Sequence, residues 1–124
     1  MHELAIAQQV VRTVLAEMNR TGAVAVRSIN VDVGTLEGLP PEGLRRAFEV
    51  ESKDTPLEGV ELHVVLVPSV ATCPACAAKR ELTTPSEAHD VNVNLFCLQC
   101  GTPMEFRGGR GFVVRSAAMV LPDL

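Results

Sequence analysis

From Glu3 to Arg20 the apolar residues Leu4, Ala7, Val11, Val14 and Met18 recur at alternating steps of three and four, with Gln8, Arg12, Glu17 and Arg20 between them. That period predicts one amphipathic helix. Gly22 follows as its left-handed stop, and Arg20 falls in the last turn, where the helix dipole favours a cation. Val24 to Gly34 is rich in β-branched residues, and Ile29, Val31 and Val33 alternate with Asn30 and Asp32 as a half-buried strand requires. Val24, Val26 and Ser28 run in the opposite phase, which predicts a bulge or a late strand start.

Leu39-Pro40-Pro41 ends the strand, and Pro41 is preset for the first turn of a second helix that carries Leu44, Ala47 and Phe48 on one face and ends near Ser52. Val60, Leu62, Val64 and Leu66 share one face of a second strand, with Glu61 and His63 on the other, until Pro68 closes it. Two close pairs of cysteines come next. After Arg107-Gly108-Gly109-Arg110-Gly111, a last strand runs from Phe112 to Leu121 and stops at Pro122. That glycine-rich stretch joins two strand-like segments, so it reads as a hairpin turn and not as a phosphate cradle. The predicted fold class is α+β: two helices on a small three-stranded sheet, with an inserted four-cysteine, zinc-ribbon-like module. The expected division is residues 1–68 plus 106–124 for the α+β domain and 69–105 for the cysteine module.

The chain has 124 residues, 47% of them hydrophobic and 21% charged, which suits one folded domain and excludes a wholly disordered chain. No apolar run approaches the roughly 18 residues that cross a bilayer. Met1-His2-Glu3-Leu4 carries an acid where a secretory signal carries Lys or Arg, so a cytoplasmic location without membrane attachment is expected. Eleven basic against fifteen acidic side chains give a net charge of -4, without the basic excess that drives phosphate binding. There is no Trp or Tyr and only four Phe, so the core is aliphatic and bases find little to stack on. Nucleic acid is therefore not an expected partner.

The cysteines are spaced Cys73-x2-Cys76, then twenty residues, then Cys97-x2-Cys100. Two intervening residues let each pair curl into a knuckle whose sulfurs chelate one ion, helped by the rigid Pro74 and the permissive Gly101. In a reducing compartment such pairs hold metal in preference to disulfides or a thioredoxin-like redox couple, and Zn(II) is the expected ion, although the ligands alone also suit iron. Four thiolates leave no open coordination position, so the ion is structural. His89, between the pairs, is either an alternative ligand or a solvated loop histidine.

Met1-His2-Glu3 is the second constellation. A free terminal amine on Met1, the backbone nitrogens after it and the His2 imidazole can offer nitrogens in one plane, an arrangement that suits Ni(II) or Cu(II) over zinc. Binding requires a neutral imidazole and weakens in mild acid. Glu3 either orients the imidazole or stabilises the helix N-terminus. The plainer reading makes His2 the second residue of a solvated chain end. His63, on the polar face of a strand, reads as an ordinary surface residue.

Taken together, Met1-His2-Glu3-Leu4, a strand closing in Val31-Asp32-Val33-Gly34, the run from Pro41-Glu42 to Ala47-Phe48-Glu49, and the two cysteine pairs resemble the HypA/HybF hydrogenase nickel-incorporation proteins over nearly the whole chain. The resemblance implies a nickel domain built from both ends of the chain and a zinc domain inserted before the last strand. It implies Ni(II) held by His2 and nearby backbone nitrogens, the Met1 amine among them, with Glu3 close by, and Zn(II) held by Cys73, Cys76, Cys97 and Cys100. It further implies delivery to the large subunit of a nickel-iron hydrogenase alongside a HypB-type GTPase, and in some organisms service to urease. One departure stands out. The family's gap between cysteine pairs is nearer a dozen residues, whereas here Leu82 to Leu95 lengthens it with Thr83-Thr84-Pro85-Ser86-Glu87. Loop closure grows only logarithmically costlier, so the zinc site tolerates the insertion.

Two other classes fit the residues less well. A zinc-ribbon adaptor for nucleic acid or a protein partner would draw on Lys79 and Arg80 beside the first pair, against the chain's acidity. An enzyme would need an open metal position or a nucleophile beside a base, and no such set stands out, so a non-catalytic carrier is expected.

Overall fold

The computed structural model describes residues 3–82, 96, 97 and 99–123. The chain runs as helix α1 (Glu3–Thr21), strand β1 (Ala25–Gly34), a 3-10 turn (Thr35–Glu37), helix α2 (Pro41–Ser52), and strands β2 (Glu61–Val67), β3 (Ser69–Thr72), β4 (Lys79–Leu82), β5 (Glu105–Arg107) and β6 (Phe112–Val120). The fold is α+β, with two three-stranded sheets ordered β2-β1-β6 and β4-β3-β5. Its described residues fall into two compact units. The first comprises residues 3–32, 40–65 and 112–123, the second residues 33–39 and the described part of 66–111.

The helical period is realised in the first unit, on a broader stripe than the alternating steps predict. Ile6, Ala7, Val10, Val11, Val14 and Met18 are buried, whereas Leu4 is 50% exposed. α1 ends as its sequence requires. Gly22 turns left-handed at φ 74, and the amides of Gly22 and Ala23 donate to the Met18 carbonyl at 2.9 and 3.1 Å. Arg20 in the last turn pairs with Glu17 at 2.8 Å.

In α2 the buried residues are Leu44, Ala47, Phe48 and Ser52. Packing of α1 on α2 removes these side chains from water, each large one stabilising the unit by about 1.5–3 kcal/mol. Gly43 sits in the first turn of α2 with no positive φ to justify it, although glycine costs a helix up to about 1 kcal/mol relative to alanine. β1 is continuous from Ala25, and its burial changes phase between Val26 and Ile29, which removes the late-start reading. β2 alternates as expected, with Leu62 buried and Glu61 and His63 outward.

The second unit holds the cysteines. β3 pairs antiparallel with β4, Ser69 opposite Leu82 and Thr72 opposite Lys79, and with β5, Val70 opposite Arg107 and Thr72 opposite Glu105. Here the structure corrects the hairpin reading of residues 107–111. β5 and β6 belong to different sheets, so the loop between them closes no hairpin. Its backbone instead engages the chain after β1: the Gly34 amide donates to the Gly111 carbonyl and the Leu36 amide to the Gly109 carbonyl, both at 2.8 Å, while the Gly111 amide donates to Glu37 Oε2 at 2.7 Å. The approach is close enough that a β-carbon on Gly34 would stand 2.1 Å from Gly109 backbone atoms.

Candidate metal centre

Two turns of matching geometry deliver the four cysteines. In the first, the Cys73 amide donates to the Ala78 carbonyl at 2.8 Å and the Cys73 carbonyl accepts from the Ala77 amide at 2.9 Å. In the second, Cys97 and Thr102 repeat the first bond at 2.8 Å, and Cys97 and Gly101 the second at 2.9 Å. Each turn also aims an amide at its leading sulfur, Cys76 N at Cys73 Sγ (3.5 Å) and Gln99 N at Cys97 Sγ (3.4 Å). Such amides stabilise negative charge on sulfur. The turn needs a left-handed residue after the second cysteine, which Gly101 supplies at φ 75 and Ala77 at φ 63. Gly101 was legible in the sequence as a permissive position. Ala77 was not, although it stands at the same offset from its own cysteine pair.

The two turns interleave their sulfurs. Cys73 and Cys100 Sγ are 3.4 Å apart, Cys76 and Cys97 3.6 Å, and Cys76 and Cys100 3.8 Å, with all four inside 4.8 Å of one another. These separations exceed the roughly 2.05 Å of a disulfide. They match the spacing of about 3.8 Å between sulfurs of a tetrahedral site with zinc–sulfur bonds of about 2.3 Å. The donor set suits zinc. Cys73 and Cys97 are buried, whereas Cys76 and Cys100 face solvent.

The thiols differ in acidity. The Thr102 side chain, with Oγ1 3.2 Å from Cys100 Sγ, and then the Thr102 amide and the Cys73 thiol hold Cys100 down to about 6. Backbone amides of Cys100 and Gln99 lower Cys97. The Ala78 amide favours the Cys76 thiolate, but the neighbouring thiols, those of Cys73 and Cys97 foremost, outweigh it and push Cys76 up to about 12. A bound dication would favour the thiolate at every position.

The second constellation is described only in part. Met1 and His2 lie outside the described residues, as do His89 and the insertion Thr83 to Glu87. Glu3 opens α1, and its carboxylate lies against the first turn of α2: a β-carbon on Gly43 would stand 2.9 Å from Glu3 Oε1 and 3.4 Å from Pro40 Cγ. His63 is on the outer face of β2 with Nε2 3.7 Å from Glu61 Oε1, and Lys79 and Arg80 open β4.

A family model described as hydrogenase/urease nickel incorporation, metallochaperone, HypA matches residues 1–119. The chain belongs to the HypA family. Among its HypA relatives, a hydrogenase maturation factor from Desulfatibacillum aliphaticivorans is 30% identical over 125 residues, covering 99% of this chain and 90% of the relative. The HypA protein of Chlorobium limicola is 32% identical over 117 residues, 94% of each chain. The HypA fold extends to solved structures. The solution structure of the nickel metallochaperone HypA from Helicobacter pylori superposes with a TM-score of 0.63 at 14% identity, covering 98% of this chain and all of that one. A second HypA solution structure gives a TM-score of 0.61 at 17% identity, covering 98% of each chain. As a HypA-family chain it falls in a class of maturation factors and metallochaperones. Among the described residues, no helix is long and apolar enough to cross a membrane.

Proposed function

We propose that this chain is a cytoplasmic, non-catalytic nickel carrier for hydrogenase maturation. It binds Ni(II) at its N-terminus through the Met1 amine, following backbone nitrogens and His2, with Glu3 beside them. It passes the ion to the large subunit of a nickel-iron hydrogenase alongside a HypB-type GTPase, and in some organisms serves urease maturation. Zn(II) on Cys73, Cys76, Cys97 and Cys100 keeps the cysteine unit folded. The observation that carries the reading is the family match over residues 1–119, a span that includes both Met1-His2-Glu3 and the four cysteines.

The chemistry of the two donor sets supports a division of labour. Planar nitrogens suit Ni(II), and a seat at a chain end lets the ion leave by stepwise ligand exchange. Four thiolates suit a closed zinc site, and with all four cysteines of the chain engaged no free thiol remains for nucleophilic chemistry.

Nickel titration of wild type against His2→Ala, with Met1 intact in both, tests the proposal. The variant is expected to lose most of its nickel affinity at neutral pH while keeping its zinc. Undiminished nickel binding by the variant would remove the assigned seat.

A further inference from the structure

Gly43 has no backbone reason to be glycine. It is helical, it costs α2 stability, and the side chain it lacks would meet one flexible atom group before any other, the carboxylate of Glu3 at 2.9 Å. Helical spacing places Glu3 one turn before the buried Ala7 and Gly43 one turn before the buried Ala47, so both stand at the open end of the α1–α2 packing. Across that end α2 offers Glu3 a shallow notch floored by the Gly43 backbone and walled by Pro40. Pro41 brings no amide hydrogen, Pro40 caps α2 without a side-chain bond, and the acid of the first turn, Glu42, is engaged by Arg45 at 2.6 Å, so the Glu3 carboxylate adds a negative charge at the positive end of α2.

We propose that Gly43 is a positioning residue for nickel binding: by withholding a β-carbon it seats the Glu3 carboxylate against α2, directly beside His2 in the chain. The inference rests on the nickel seat proposed above and adds to it the residue across the helix pair that decides where the carboxylate stands. An alanine at 43 leaves the helix backbone intact and moves only the far end of Glu3, so it separates carboxylate position from fold. A carboxylate that supports a metal-bound imidazole from outside typically contributes 10- to 100-fold to affinity.

The test is a double-mutant cycle of Gly43→Ala and Glu3→Ala, read by nickel titration, with His2→Ala as reference and thermal unfolding as the fold control. Gly43→Ala is expected to weaken nickel binding about tenfold without lowering the unfolding temperature, and to have no further effect once Glu3 is alanine. The carboxyl-carbon NMR signal of Glu3 in nickel-free protein is expected to shift in Gly43→Ala. Wild-type affinity in Gly43→Ala, or an equal loss in the Glu3→Ala background, overturns the proposal while leaving the seat intact. Undiminished binding in His2→Ala overturns the seat itself, and the role of Gly43 with it.

Discussion

Ala77 and Gly101 occupy the same place in the two cysteine turns. Each donates its amide to the carbonyl of the leading cysteine at 2.9 Å, and each is left-handed, at φ 63 and φ 75. An alanine in that conformation carries about 1–2 kcal/mol of strain, whereas glycine carries none but loses more chain entropy on folding. Ala77→Gly should therefore stabilise the zinc-loaded protein by about 0.5–1 kcal/mol, and Gly101→Ala should destabilise it by a similar amount. Nothing lies within 4 Å of a β-carbon on Gly101, so the second effect is purely conformational. Denaturant unfolding of both variants checks the opposed signs.

Thr102 should govern how the metal centre responds to acid. Its hydroxyl, then its amide, lowers the Cys100 thiol from an ordinary value near 9 to about 6. A depressed folded-state value stabilises the folded site fully above pH 9 and loses that contribution as the pH falls through about 6. Protons compete with zinc for the same sulfur, so Thr102→Val should move the pH of zinc release upward, because Cys100 then takes a proton sooner. Acidifying zinc-loaded protein in the presence of a chromogenic chelator measures the shift. An unchanged release midpoint would discount the hydroxyl.

Much of this arrangement was legible in the sequence. α1, β1, α2 and β2 each write their burial into an apolar period, and the four cysteines announce a site by spacing alone. Ser69–Thr72, Lys79–Leu82 and Glu105–Arg107 were not legible as strands, because segments of three or four residues are too short for a period and Lys79-Arg80-Glu81 is polar throughout. Their pairing is also distant in sequence, since β3 takes β5 as partner, which is why residues 107–111 masqueraded as a hairpin. The roles of Gly43 and Ala77 are not legible in the sequence for a related reason. One matters for a contact across two helices and the other for a backbone angle, and neither is a property of local pattern.

The junction of residues 34–37 with 107–111 should be intolerant of a single methyl group. A β-carbon on Gly34 would stand 2.1 Å from the Gly109 carbonyl group, with only backbone to yield, whereas one on Gly111 would meet nothing within 4 Å. Gly34→Ala should therefore destabilise by about 2–3 kcal/mol or more, as overpacking does. Gly111→Ala should lose only the smaller net cost of its left-handed φ of 71, about 0.5–1 kcal/mol as at Gly101. Denaturant unfolding of the two variants, compared at equal zinc loading, checks the order.

Removing the zinc should dismantle one unit and spare the other. Among the described residues, the first unit buries Ile6, Val10, Val14, Ile29, Val31, Leu44, Phe48, Leu57 and Leu62. Among its described residues, the second buries Val33, Thr35, Leu39, Ser69, Ala71, Cys73 and Cys97. An ion on four thiolates, worth on the order of 10 kcal/mol in zinc-finger peptides, would offset much of the entropy of ordering β3, β4 and β5. Both α-helices lie in the first unit. Chelation should thus leave the far-ultraviolet helical signal nearly unchanged while the amides of Ser69–Thr72 and Lys79–Leu82 lose protection from hydrogen exchange. Full protection of those amides in metal-free protein would mean that packing, and not sulfur ligation, holds the second sheet together.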